Sequence, residues 1–100
     1  MILTTEHIKI AVQEYFKDKP VKKVYLFGSY ARGDANENSD VDLIVDIDDE
    51  DKRMSLFDFI KLKLGIEKSL NKEVDLVETH LFFPRVKIRA EKEKFILYKR

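Results

Sequence analysis

Two aspartates, Asp40 and Asp42, stand at alternate positions, and ten residues separate them from a Gly-Ser pair, Gly28 and Ser29. Side chains alternate along a strand, so both carboxylates would lie on one face with backbones about 6.6 Å apart. Two such charges at about 4 Å repel by about 1 to 4 kcal/mol, depending on the local dielectric. A divalent cation bound between the two carboxylates would turn this repulsion into a net attraction. Because neither His nor Cys accompanies these oxygen ligands, the pair favours Mg²⁺ or Mn²⁺ over zinc.

A third acid, Asp75, lies in the middle of the apolar stretch EVDLVE. Alternation places it on the face opposite Val74 and Leu76. If this strand neighbours the one that carries Asp42, the three carboxylates form one cluster. The alternative is that Asp75 is an exposed residue on an edge strand.

Two familiar glycine- or acid-rich loops do not fit this segment. Gly28 and Gly33 have the spacing of a phosphate-binding P-loop, but Asp34 and Ala35 stand where Lys and Ser/Thr belong. A calcium-binding EF-hand loop beginning at Asp34 would place Val45 where the loop needs its last glutamate. What remains is the Gly-Ser pair followed by the two spaced aspartates.

The elements that position these residues follow from periodicity, caps and turn residues. Helices and strands alternate, which predicts an α/β (α+β) fold, a mixed sheet of about four strands with helices mainly on one face, in a single domain over 1–100. The expected elements are a helix from Thr4 or Thr5 to before Pro20, strands VKKVYLF, VDLIVDID, EVDLVE and KFILYK, a helix from Ser55 to about Leu70, and a short helix from Pro84 to about Glu91.

Side-chain faces follow from the same periods. In VDLIVDID the apolar face is expected to lie under helices, and its members are Val41, Leu43, Val45 and Ile47. In the helix that begins after Ser55, the side chains expected to point inward are Leu56, Phe57, Ile60 and Leu64.

Composition limits the class of protein. The 100 residues include no cysteine, which excludes disulfides and thiolate metal sites. Apolar residues make up 44% of the chain, which is typical of a globular protein. No apolar run approaches the ~18 residues of a membrane span, and no signal-peptide pattern opens the chain, so a cytoplasmic protein is expected.

Charge is unevenly distributed along the chain. Residues 34–51 hold nine acids and no Lys or Arg, a pattern that indicates either a cation site or a solvated loop. Residues 85–100 hold seven basic residues against two acids. For this basic tail we expect an ordinary solvated surface, so direct nucleic-acid binding is not expected.

The stretch GSYARGDANENSDVDLIV resembles the signature of the DNA-polymerase-beta nucleotidyltransferase superfamily, specifically its minimal single-domain branch. The resemblance implies that two Mg²⁺ ions, with Mn²⁺ as a substitute, and ATP bind at this site. Asp40 and Asp42 would ligate both metals, and Asp75 would ligate one and help to deprotonate the acceptor hydroxyl.

The same resemblance assigns the nucleotide contacts. Gly28 and Ser29 would hold the triphosphate, glycine by close backbone approach and serine by its hydroxyl and N–H. Arg32 would either offset the negative charge of the site or brace the turn toward Asp34. Ser39 would lie beside the nucleotide, where its main role would be to orient Asp40.

In this minimal branch the resemblance also implies a partner. It is a HEPN-type ribonuclease toxin, which the small transferase silences, as its antitoxin, by moving AMP onto a tyrosine hydroxyl. Two alternatives stay open: a catalytically idle antitoxin that acts by binding, and an adenylyltransferase for a small-molecule hydroxyl.

Overall fold

The computed structural model describes residues 3–48, 54–79 and 95–100. Its four-stranded sheet has the order β3-β2-β1-β4, in which β1 is antiparallel to β2 and β4 while β2 and β3 are parallel. The expected mixed sheet is confirmed. The elements are α1 (Thr5–Phe16), β1 (Val21–Phe27), α2 (Gly28–Arg32), β2 (Val41–Ile47), α3 (Leu56–Leu70), β3 (Val74–Glu78) and β4 (Phe95–Lys99).

Helix α1 begins where the sequence predicts. The side chain of Thr4 accepts a hydrogen bond of 3.0 Å from the backbone N–H of His7, which caps the first turn. Ile8, Val12 and Phe16 recur at helical spacing and are fully buried. The helix therefore packs one apolar stripe into the core.

The sheet has a helix-covered face and an opposite face. On the helix-covered face of β2 the predicted apolar residues are all buried: Val41, Leu43, Val45 and Ile47. They form one core cluster with the buried residues of α1 and α3. On the opposite face Ile44 is also buried, and its register partners are Tyr25 on β1 and Val77 on β3. The aspartates of β2 that share this face with Ile44 are only partly buried.

Helix α3 has the predicted start but a different buried face. Ser55 caps it by accepting a hydrogen bond of 3.1 Å from the N–H of Asp58. The expected inward residues are wrong, since the exposed fractions are 75% for Leu56, 66% for Phe57, 45% for Ile60 and 57% for Leu64. The buried residues are instead Leu62, Ile66 and Leu70. The sequence carries two apolar stripes at helical spacing, and only the second one faces the sheet.

Gly65 lies where α1 and α3 make close contact. A Cβ at this position would lie 2.0 Å from the hydroxyl oxygen of Tyr15. That hydroxyl donates a hydrogen bond of 3.0 Å to the carbonyl of Leu62. The mid-helix glycine therefore makes room for a tyrosine that ties the two helices together.

Some expectations lie outside the described residues, among them the short helix from Pro84 to Glu91. The described end of the basic tail is engaged locally: Arg100 forms an ion pair with Asp48 and donates a hydrogen bond of 3.1 Å to the carbonyl of Lys19. Among the described residues, no helix combines the length and the apolar character that crossing a membrane requires.

Candidate active site

The turn after β1 is the short helix α2, which starts at Gly28 and Ser29. Gly28 has φ 74°, in the left-handed region that favours glycine. Tyr30 is buried and anchors the turn to the core, and the N–H of Gly33 closes it on the carbonyl of Ser29 at 3.0 Å. A helical turn therefore follows β1 directly, and the backbone around Ser29 is held by core packing.

Gly28 also lies directly against Asp42. A Cβ built on Gly28 would lie 2.2 Å from Oδ2 of Asp42, and the preceding residue, Phe27, is the register partner of Asp42 across β1 and β2. The Gly-Ser turn and the second aspartate are therefore parts of one site.

Strands β2 and β3 are neighbours, as the predicted carboxylate cluster requires. Their parallel register pairs Asp42 with Asp75, and adjacent strands lie about 4.8 Å apart. Both side chains project from the face opposite Val41 and Val74, which are buried in the core. Asp75 is exposed and lies on an edge strand, as the alternative expected, and the neighbouring strand that a carboxylate cluster requires is present. The three-carboxylate cluster itself stays a prediction.

The acids influence one another electrostatically. Burial raises the pKa of Asp42 to about 6, helped by the negative charges of Asp75 and Asp40, while the positive charge of Arg32 acts in the opposite direction. The site concentrates like charge around a half-buried carboxylate, an arrangement that a bound cation would relieve.

Asp40 is exposed and immediately precedes β2, and backbone contacts fix its position. The N–H of Val41 donates a hydrogen bond of 3.1 Å to the carbonyl of Glu73, which joins the entries of β2 and β3. Lys72 donates one of 2.9 Å to the carbonyl of Glu37 and so ties the loop before Asp40 to the same edge.

Arg32 and Ser39 make local contacts. Arg32 Nε donates a hydrogen bond of 3.2 Å to Asp34, so the arginine braces the turn and also acts on the charge of Asp42. The hydroxyl of Ser39 accepts a hydrogen bond of 2.9 Å from the N–H of Asn36 and closes the loop before Asp40. The roles predicted for both residues toward a nucleotide stay predictions.

Asp46 lies on the same strand and face as Asp42, four residues further along. It is half-buried and pairs in register with Lys23 on β1. Asp46 therefore lies away from the Gly-Ser turn, and a substitution there can serve as a control for the same substitution at Asp42.

The donor set fits a hard divalent cation, because Asp40, Asp42 and Asp75 offer only carboxylate oxygens. Within 3–48, 54–79 and 95–100, no three or more His, Asp or Glu side chains already stand in a metal-holding geometry. Asp40 and Asp75 are exposed at this edge, so side-chain rotation would be needed to bring the three carboxylates around an ion.

A cleft beside these acids includes residues that sequence reasoning missed. Its volume is about 350 Å³, and its lining residues are Asp40, Lys63, Glu67, Glu73, Val74 and Asp75. Glu67 uses one oxygen to accept the N–H of Val74 at 3.0 Å. Lys63 and Glu67 directly follow the buried residues Leu62 and Ile66 on α3. Placing them in the cleft required knowledge of which face of that helix is buried.

Several known proteins are similar to this chain in sequence or in fold. Protein adenylyltransferase MntA of Thermococcus cleftensis is 39% identical over 80 residues, which are 76% of this chain and 78% of the relative. A solved structure assigned to the minimal nucleotidyltransferases is 31% identical, with a TM-score of 0.72, over 90% of this chain and 88% of that one. A solved toxin–antitoxin complex with AMP-PNP has a TM-score of 0.77 at 21% identity, over 92% of this chain and 73% of that chain, and supports the fold alone.

A mixed sheet that brings aspartates from adjacent strands beside a Gly-Ser turn, in a chain with these relatives, defines a nucleotidyltransferase. The chain belongs to the nucleotidyltransferase domain family, which matches residues 6–100. The resemblance to the minimal branch is thereby confirmed.

Proposed function

We propose that this protein transfers AMP from ATP to a hydroxyl group of a partner protein. The observation that carries the proposal is the parallel register that pairs Asp42 with Asp75 next to the Gly28 turn. The relative from Thermococcus cleftensis, named as a protein adenylyltransferase, supports AMP as the transferred group.

Asp40, Asp42 and Asp75 are the residues that would hold the divalent ions, Mg²⁺ or Mn²⁺. When bound, two such ions neutralise charge on the phosphates and on the attacking and leaving oxygens of an in-line displacement. Asp75 is exposed among the described residues and lies on the edge strand β3, where it can accept the proton of an incoming hydroxyl group.

The nucleotide contacts follow from the position of α2. Gly28 allows the backbone to approach phosphate oxygens closely, and Ser29 offers a hydroxyl and an N–H at the start of the turn. Arg32 supplies positive charge near Asp42. Ser39 acts indirectly, by closing the loop that presents Asp40.

For the acceptor we propose a tyrosine hydroxyl on a HEPN-type ribonuclease toxin, which makes this protein the antitoxin of a pair acting in the cytoplasm. One structural neighbour is described as a tri-AMPylated HEPN toxin of Shewanella oneidensis in complex with an MNT antitoxin, at 18% identity and a TM-score of 0.70 over 95% of this chain and 72% of that one. That complex motivates the choice of acceptor, and the chemistry of the site requires only a hydroxyl.

The test is a transfer assay with α-labelled ATP, Mg²⁺ and the protein encoded next to this one. We expect label on the partner with the wild-type protein and at least about a hundredfold less with Asp42→Asn. Asp46→Asn is the matched control, since it removes a charge from the same face of the same strand and should transfer normally. Absence of label with the wild type contradicts the proposal. If Asp42→Asn still neutralises the toxin in cells, the protein acts by binding instead.

A further inference from the structure

The cleft of about 350 Å³ lies on the β3 side of the site, away from the turn that the nucleotide would occupy. Helix α2 packs against β1 and β2, whereas α3 packs against β3, the edge strand. Among the described residues, Asp42 therefore lies between the Gly28 turn and this cleft, since it contacts Gly28 on one side and pairs with Asp75 on the other. The volume is within the roughly 300–1,000 Å³ typical of small-molecule pockets, so the cleft has room for an acceptor side chain.

Lys63 is the cation that lines this cleft, together with four acids, Asp40, Glu67, Glu73 and Asp75. Its side chain is half-buried. In the part of the chain that the structure describes, the side chain of Lys63 forms no ion pair or hydrogen bond, whereas the side chain of Lys72 donates a hydrogen bond to the carbonyl of Glu37. The ammonium of Lys63 is therefore not committed to holding the described fold together.

The charge of the cleft restricts what Lys63 can meet there. Four carboxylates against one ammonium repel an anionic group. A neutral hydroxyl enters without that penalty, and an ammonium can donate up to three hydrogen bonds to such an oxygen. As the hydroxyl loses its proton, the developing negative oxygen is attracted to the ammonium more strongly than the neutral group was.

We propose that Lys63 is a catalytic residue on the acceptor side, whose ammonium donates a hydrogen bond to the oxygen of the acceptor hydroxyl. The proposal rests on the function proposed above. In the step, the hydroxyl proton passes to the carboxylate of Asp75 and the oxygen forms a bond to the α-phosphorus of ATP. The bond from that phosphorus to the bridging oxygen breaks, and pyrophosphate leaves with the electron pair. Lys63 keeps its proton throughout.

The experiment compares Lys63→Met with Lys68→Met in the transfer assay, using the purified partner as acceptor. Lys68 is on the same helix, exposed, and outside the cleft. We expect Lys63→Met to lower kcat/KM for the acceptor about a hundredfold, by analogy with the loss of one donor at a developing oxyanion. ATP affinity, measured by titration with AMP-PNP and Mn²⁺, should not change. Lys63→Arg should recover part of the activity, and Lys68→Met should match the wild type.

Other results overturn the assignment. Wild-type transfer by Lys63→Met removes any role for the ammonium, and a loss of AMP-PNP affinity moves Lys63 to the triphosphate. If Lys63→Met does not fold by circular dichroism, Lys63→Gln, which keeps a hydrogen-bond donor of similar length, takes its place with a smaller expected loss. A wild-type protein that transfers no label refutes the proposed function itself, and Lys63 with it, so the two failures are distinguishable.

Discussion

The backbone of Gly28 contacts the carboxylate of Asp42 so closely that a Cβ on the glycine would lie 2.2 Å from Oδ2. The contact joins the start of α2 to the middle of the sheet. A single methyl group added to Gly28 would therefore displace both the proposed phosphate-binding turn and a proposed metal ligand.

Gly28→Ala should therefore abolish AMP transfer, whereas Gly33→Ala should not. Both glycines have positive φ, 74° and 85°, so both variants should lose about 1 to 2 kcal/mol of stability from backbone strain. At Gly33 the added Cβ would meet no atom of the described residues within 4 Å. Thermal melts with parallel transfer assays check this, and equal activity in the two variants contradicts the packing role of Gly28.

Asp42 should make metal-free protein less stable as pH rises. Its pKa is raised to about 6 in the folded state, above the unfolded value of about 3.9. Between those values the folded protein binds more protons than the unfolded chain, so the free energy of unfolding falls as pH increases through this window. Asp42→Asn removes the cost of ionising this half-buried carboxyl group in the folded state. We expect equal melting temperatures near pH 4 and a variant a few degrees more stable at pH 7, in chelator. Parallel pH curves for the two proteins would contradict the raised pKa.

Helix α3 supplies a test of which stripe is buried. Leu62→Ala should cost about 2 to 5 kcal/mol in the free energy of unfolding, because it leaves a cavity in the core. Leu64→Ala, the same change two residues on, should stay within about 0.5 kcal/mol, because Leu64 is 57% exposed. Urea unfolding measures both values. A reversed order would restore the face expected from the sequence.

The choice of face shows where sequence reasoning reached its limit. The predicted strand boundaries agree with the structure to within one residue, and the caps Thr4 and Ser55 were correct, because alternation and cap residues are local signals. The stripe containing Leu56 and Ile60 has the same spacing as the stripe containing Leu62 and Ile66, and only tertiary packing distinguishes them. In the same way, residue types predicted Asp75 as a candidate, but its pairing with Asp42 is a property of strand order.

By helix propensity alone Gly65 would weaken α3, since glycine costs about 1 kcal/mol against alanine in a helix. The structure instead gives it a packing role against Tyr15. Gly65→Ala should therefore lower the melting temperature in the wild-type background and raise it in a Tyr15→Ala background. A double-mutant cycle measures this coupling, and additive effects would mean that the tyrosine moves aside at no cost.

Joint binding of divalent ions by Asp42 and Asp75 is measured most directly by calorimetry, with Mn²⁺ titrated into protein saturated with AMP-PNP. We expect binding heat for the wild type and for Asp46→Asn, and at least about tenfold weaker Mn²⁺ affinity for Asp42→Asn and for Asp75→Asn. Equal Mn²⁺ affinity in all four proteins would contradict a metal site built from these two strands.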